Sequence, residues 1–148
     1  MDITFIKAEA ADIPAIYDLN KKLIEKYENL QKIDFEKVLQ WMKNKIESHI
    51  NEYACVMSGK EKIGYYYFHQ AGDEMEIDDL YIFPPYQNKG IGTSIIQKCL
   101  CETDFPIFLY VFIKNIKAVN LYKRLGFEIS EIKNTRYVMC RNPKKINF

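Results

Sequence analysis

Gln87-Asn88-Lys89-Gly90-Ile91-Gly92 joins a strand-like run, Met75-Glu76-Ile77-Asp78-Asp79-Leu80-Tyr81-Ile82-Phe83, to a helix-like run, Thr93-Ser94-Ile95-Ile96-Gln97-Lys98-Cys99-Leu100. Pro84-Pro85 stops the strand. At Gly90 and Gly92 the backbone can approach a ligand closely, because no Cβ stands in the way. The unpaired N–H groups of a first helical turn point outward and favour an anion. The stretch therefore reads as a pyrophosphate cradle and suggests a nucleotide-like ligand. The plain alternative is an exposed glycine turn before a structural helix.

Two other glycine signatures do not fit. A Walker loop needs a lysine after its second glycine, and Lys89 precedes Gly90. A dinucleotide fingerprint needs a third small residue where Ile95 stands, and it opens the first strand–helix unit of its domain. What remains is Gln-x-x-Gly-x-Gly, past the middle of the chain. Downstream, Asn115-Ile116-Lys117-Ala118-Val119-Asn120-Leu121-Tyr122-Lys123-Arg124-Leu125-Gly126-Phe127 follows a strand-like run, Ile107–Ile113. Asn115 suits an N-cap and Gly126 a C′ position, so a short helix is expected between them.

Together these motifs resemble the GNAT superfamily of acetyl-CoA-dependent N-acetyltransferases. The Leu-Tyr-Ile strand end, Gln-x-x-Gly-x-Gly, and Asn…Ala…Leu-Tyr…Leu-Gly-Phe stand in the family's order and spacing. The opening Ile3–Ala8 and Asp12-Ile13-Pro14 resemble its first strand and helix start. The resemblance covers essentially the whole chain, taken as a single domain over residues 1–148. It implies an α+β (mixed α/β) fold with a mixed, mostly antiparallel twisted sheet of about seven strands, flanked by about four helices. It also implies acetyl transfer from acetyl-CoA to a primary amine by direct attack in a ternary complex.

The resemblance assigns site residues as well. Backbone N–H groups of Asn88, Lys89, Gly90, Ile91, Gly92 and Thr93 would bind the pyrophosphate, and Gln87 counts with them among the cofactor-binding residues. Lys89 would add a charged contact or remain a solvated loop lysine. The pantetheine arm would lie along Leu80, Tyr81 and Ile82, with the Ile82 N–H directed at the thioester carbonyl. Asn115 would touch the cofactor, cap its helix, or do both. Tyr122 would protonate the departing sulfur. It lies two helical turns after Asn115 on the same face, and a phenol of pKa about 10 is protonated at neutral pH. The ordinary alternative for Tyr122 is packing. Glu76 matches the general base of histone-type members, and Asp78 shares its strand face. Both could instead lie on a solvated face or attract a cationic substrate. Another branch of the family carries a glutamate where this chain has Tyr110, which weakens a ribosomal-protein N-terminal acetylase reading.

Composition bounds the other possibilities. The chain is 148 residues with 48% hydrophobic and 28% charged residues, ordinary for one globular domain. A net charge of +1 gives no electrostatic footprint for nucleic acid. No apolar run reaches membrane-span length and no signal-peptide pattern opens the chain, so a cytoplasmic location with reduced thiols is expected. Cys99-x-Cys101 is not a zinc spacing, so no metal is expected. A homodimer, common in the family, stays open.

The remaining elements follow from periodicity. Ile13, Ile16, Leu19, Leu23 and Ile24 form one helical stripe. Phe35, Val38, Leu39, Met42, Ile46 and Ile50 form another after the N-cap Asp34. Both stripes are read as core-facing. Tyr53–Met57 and Ile63–His69 read as a hairpin. In Tyr65-Tyr66-Tyr67-Phe68, alternation is expected to bury about half the run and leave the rest for a wall or interface. A final strand pair is expected near Phe127–Ile132 and Arg136–Cys140, followed by a polar tail from Asn142. The lone histidines His49 and His69 read as structural, with a proton relay as the alternative. Acidic and aromatic residues near the first helices suit a small amine acceptor, and a peptide or protein amine remains open. The rival from another class is a non-catalytic CoA-binding sensor or interaction module.

Overall fold

Asp34 and Asn115 cap the helices that the sequence assigns to them. The Asp34 carboxylate accepts from the Lys37 N–H at 3.2 Å, and the Asn115 amide oxygen accepts from the Ala118 N–H at 3.4 Å. Each satisfies a donor that the first turn of a helix leaves unpaired. The fold is described from a computed structural model covering residues 2–143; the polar tail expected from Asn142 lies outside them beyond Pro143. No helix among these residues is long and apolar enough to cross a membrane.

The chain divides into two compact units, one up to Tyr67 and one from Phe68 onward. The first holds β1 (Ile3–Lys7), α1 (Ile13–Tyr27), α2 (Phe35–His49), β2 (Tyr53–Ser58) and most of β3 (Glu61–Ala71). β1 pairs antiparallel with β2, and β2 with β3 across the expected hairpin. Gly59 turns that hairpin at φ +60°, a backbone conformation that glycine adopts without strain. The core takes Ile16 from α1, Met42 and Ile46 from α2, and Val56 and Ile63 from the strands. The α1 stripe is only partly core-facing: Ile16 is fully buried, while Ile13, Leu19, Leu23 and Ile24 are half-covered.

The tyrosine run departs from the alternation rule. Tyr65, Tyr66 and Tyr67 are all buried, at 4%, 6% and 3% exposure. Both faces of β3 are covered here, so alternation separates two buried sides rather than core from solvent. Tyr66 meets Phe5 edge to face, while Tyr67 stacks on Tyr53 and His49. Tyr65 donates to Asp12 at 3.1 Å. Asp12, expected at the start of α1, is its N-cap residue and sits only 4% exposed; its side chain makes no cap bond to α1 and instead closes a capping box on the short 3-10 turn Ala10–Asp12. Its carboxylate accepts from the Glu9 N–H at 2.8 Å and from Lys62 Nζ at 2.5 Å.

The second unit holds the end of β3, then β4 (Glu74–Ile82), α3 (Ile91–Glu102), β5 (Ile107–Phe112), α4 (Ile116–Arg124), β6 (Glu128–Lys133) and β7 (Arg136–Arg141). β4 and β5 run parallel; β5 pairs antiparallel with β7, and β7 with β6. Among the described residues the sheet has seven strands in the order β1-β2-β3-β4-β5-β7-β6, a mixed sheet accompanied by four α-helices, as expected. α3 packs on β4 through Ile91, Ile95, Ile96 and Cys99, which recur at helical spacing and are all buried.

Candidate functional site

β4 and β5 share a very short ladder. Met75 faces Ile107 and Glu76 faces Phe108; among the described residues the pairing ends there, while β4 runs on to Ile82 and β5 to Phe112. β5 pairs with β7 along its whole length, from Ile107 opposite Arg141 to Phe112 opposite Arg136, and so stays with that partner. Beyond Glu76 the facing edges of β4 and β5 therefore have no ladder bonds to each other. Such an edge can take a guest chain with amide groups by strand addition. Leu80, Tyr81 and Ile82 are half-buried on β4 past this split.

The glycine loop follows at once. Gln87 donates its side-chain amide to the Ile82 carbonyl at 2.7 Å, tying the loop to the end of β4. That bond fixes the glycine loop to the strand end. Asn88 and Gly90 both take left-handed backbone, at φ +63° and +78°. Lys89, exposed between them, lies over the Tyr86 ring at 5.8 Å from its centroid. Gly90 occupies the N-cap of α3 and brings no side chain to cap it. The first intrahelical bond runs from the Ser94 N–H to the Gly90 carbonyl at 3.0 Å, so the N–H groups of Ile91, Gly92 and Thr93 precede the ladder. Their partial positive charge, added to the helix dipole, favours an anion.

α4 meets α3 at this point. A Cβ built on Gly92 would lie 3.7 Å from Leu121 Cδ2, which places the start of α3 beside the face of α4 next to Tyr122. Asn115 spends its amide oxygen on capping α4, which leaves its side-chain N–H groups available to a ligand.

Tyr122 is 9% exposed and packs edge to face on Phe127, with centroids 5.9 Å apart. Burial pushes its pKa up to about 12. The group is a neutral phenol with a donor to give.

Glu76 stands at the last paired position before the strands part. Its carboxylate oxygen lies 3.3 Å from His69 Nε2, and Asp78 approaches the same nitrogen at 3.3 Å. The shared face expected for Glu76 and Asp78 is realised at His69. The sequence reading passed over this cluster because His69 and Glu76 belong to different strands. The usable signal was the Ala71-Gly72-Asp73 turn, which folds one run back on the other. His49, by contrast, pairs with Glu52 at 2.6 Å and stacks on Tyr67, a packing role.

Comparison with known proteins places this geometry. The sequence profile of the Acetyltransferase (GNAT) family matches residues 14–127. Thialysine N-epsilon-acetyltransferase of Mus musculus is 41% identical over 70 residues, covering 43% of this chain and 41% of that protein. N-alpha-acetyltransferase 50 of Danio rerio is 41% identical over 58 residues, covering 36% of this chain and 34% of that protein. The matched region thus spans less than half the length of these relatives. A crystal structure of PaiA N-acetyltransferase from Thermoplasma acidophilum in complex with coenzyme A has the same fold. Its TM-score is 0.68 at 17% identity, over 96% of this chain and 99% of that one.

Proposed function

Because the chain belongs to the acetyltransferase (GNAT) family, we propose that it moves an acetyl group from acetyl-CoA to a primary amine, within one acetyltransferase domain over residues 1–148. The observation that carries this reading is the parting of β4 from β5 after Glu76, next to the uncapped start of α3. A pantetheine arm carries amides and a pyrophosphate carries charge. The open strand edge at Leu80–Ile82 suits the first, and the N–H groups from Asn88 to Thr93 suit the second. Asn115 adds its amide N–H groups.

Three residues divide the proton work in this proposal. Glu76 takes one proton from the substrate ammonium, which frees the nitrogen lone pair to attack the thioester carbon. The Ile82 N–H stabilises the charge that develops on the carbonyl oxygen. As the C–N bond forms and the C–S bond breaks, Tyr122 gives its proton to the sulfur. The nitrogen loses a second proton as it becomes an amide, and Tyr122 regains one from solvent. The sum is one amide, one thiol and one proton released.

A small amine is the favoured acceptor. Glu76 and Asp78 set two carboxylates at the strand split, which suits an ammonium group, and one relative is named for thialysine. A peptide amine is the second reading, on the relative named as an N-alpha-acetyltransferase. A cytoplasmic location belongs to the same proposal. The test is thiol release from acetyl-CoA across lysine analogues, polyamines, aminoglycosides, amino acids and short peptides, beside calorimetric CoA binding. Release with the small amines supports the reading, and release with peptides alone moves the acceptor to the second class. CoA binding without release by any amine would instead make the chain a non-catalytic acetyl-CoA sensor.

A further inference from the structure

The turn at Ala71-Gly72-Asp73, with Gly72 at φ +64°, folds the end of β3 back on β4. This brings His69 against Glu76 and Asp78, all within the second unit. Nε2 of His69 lies 3.3 Å from Glu76 Oε1 and 3.3 Å from Asp78 Oδ2, and one ligand atom from each residue falls within 4.8 Å of the others. The three side chains are 23%, 16% and 19% exposed, sheltered but reachable.

Two features of this ion-paired group also suit a bound cation. First, charge-assisted N–H···O bonds close to about 2.7–2.9 Å, and both distances here are longer. An edge of a tetrahedron with metal–ligand bonds of about 2.0–2.1 Å measures about 3.3–3.4 Å, which both distances match. Second, His69 Nδ1 lies 3.3 Å from the Gln70 carbonyl oxygen, an atom that only accepts. A metal-binding His69 needs its hydrogen on Nδ1, where that carbonyl oxygen can accept it, with the Nε2 lone pair turned to the two carboxylate oxygens. A cation between them relieves that arrangement. Anchoring the far ring nitrogen on a backbone carbonyl is also how metal-bound histidines are held.

We propose that His69 Nε2, Glu76 and Asp78 form a three-ligand site for a divalent first-row transition ion of the Zn2+ type, with further positions open to water or substrate. Imidazole with two carboxylates suits such an ion better than Mg2+, which takes an all-oxygen octahedron. One consequence rests on the proposed acetyl transfer: an ion on Glu76 occupies the lone pair that would take the ammonium proton, so bound metal slows turnover. The binding itself does not depend on that reading.

The test titrates metal-free protein with Zn2+ by calorimetry and with Co2+ by absorption spectroscopy, with neither acetyl-CoA nor amine present. One equivalent should bind, and the Co2+ spectrum should lack a sulfur charge-transfer band. His69→Ala should weaken binding by about 100-fold or more, and Asp78→Asn by about 10-fold. Circular dichroism checks that each variant folds, and the near-isosteric Asp78→Asn keeps the test alive if His69→Ala does not. No binding at millimolar Zn2+ would leave a plain ion pair and overturn the proposal. Unchanged affinity in both variants, or a sulfur band pointing to the exposed Cys101, would do the same. A protein that binds Zn2+ at this site but acetylates nothing would fail the function and keep the metal site.

Discussion

The backbone N–H of Phe127 donates to the carbonyl of Tyr122 at 3.0 Å, and their rings meet edge to face at 5.9 Å. The Gly126 N–H donates to the Lys123 carbonyl at 3.1 Å, and Gly126 takes φ +91°. These bonds make a Schellman end to α4, with the hydrophobic contact that usually accompanies it. The Leu-Gly-Phe sequence is therefore a device that stops the helix and packs Phe127 against the proposed acid. Gly126→Ala should destabilise the protein by about 1–2 kcal/mol, because left-handed backbone disfavours a Cβ. A Cβ there would also lie 2.8 Å from Arg141 Nε. Chemical denaturation measures the loss; an unchanged midpoint would remove Gly126 from this role.

Gly92 separates two kinds of crowding. With Leu121 Cδ2 at 3.7 Å from an added Cβ, Gly92→Ala makes an ordinary contact, while Gly92→Val presses on Leu121 and displaces α4 from the cradle. Calorimetry should show CoA affinity nearly intact in the first variant. It should be at least about 10-fold weaker in the second, a loss of about 1.4 kcal/mol. Equal affinities would show that the close approach of α3 and α4 does not shape the site.

The buried Asp12 carboxylate links stability to pH. Desolvation raises its pKa. The Lys62 hydrogen bond, the Glu9 N–H, the Lys62 charge and Tyr65 outweigh that effect and hold it below its ordinary 3.8. A depressed folded-state pKa contributes stability that is present above the ordinary value and fades as pH falls through the folded value. Lys62→Met leaves the carboxylate buried without its cation and should cost about 3 kcal/mol near neutral pH. Tyr65→Phe should cost about 1 kcal/mol. Denaturation at stepped pH should also show the Lys62→Met variant losing less stability than wild type on the acid side, because a raised folded-state pKa narrows the window between the folded and unfolded values. An unmoved acid limb would contradict the pairing.

Burial pushes Tyr122 up to about 12, so the phenol stays protonated through the whole range in which an amine acceptor is assayed. The difference in near-ultraviolet titration between wild type and Tyr122→Phe should carry one phenol ionising near 12 rather than near 10. A difference centred at 10 would mean that the ring is open to water.

The parts of the fold that rest on local chemistry were legible in the sequence. Asp34 and Asn115 as caps, Gly126 as a helix stop and the loop from Gln87 to Gly92 each depend on a few neighbouring residues. The parts that depend on distant partners were not. Alternation could not tell that both faces of β3 are covered, so Tyr65, Tyr66 and Tyr67 all went inside. Asp12 opens α1 as its sequence predicts, but the bonds of its carboxylate to Lys62 and Tyr65, which arrive on another strand, could not be read locally. Gln87 stood in the motif as a ligand contact, and only the end of β4 revealed its bond to Ile82. His69 had no meaning alone and acquired one when Glu76 and Asp78 came opposite it.

The most direct test of the account is the split between turnover and CoA affinity in Tyr122→Phe, measured with an amine that the wild type accepts. Loss of a positioned general acid should lower kcat by about 10²–10⁴-fold. The Kd for CoA should stay within a few-fold of wild type, because the ring and its contact with Phe127 remain. An unchanged kcat would show that the proton reaches sulfur from elsewhere. A parallel loss of CoA affinity would reduce Tyr122 to a packing residue.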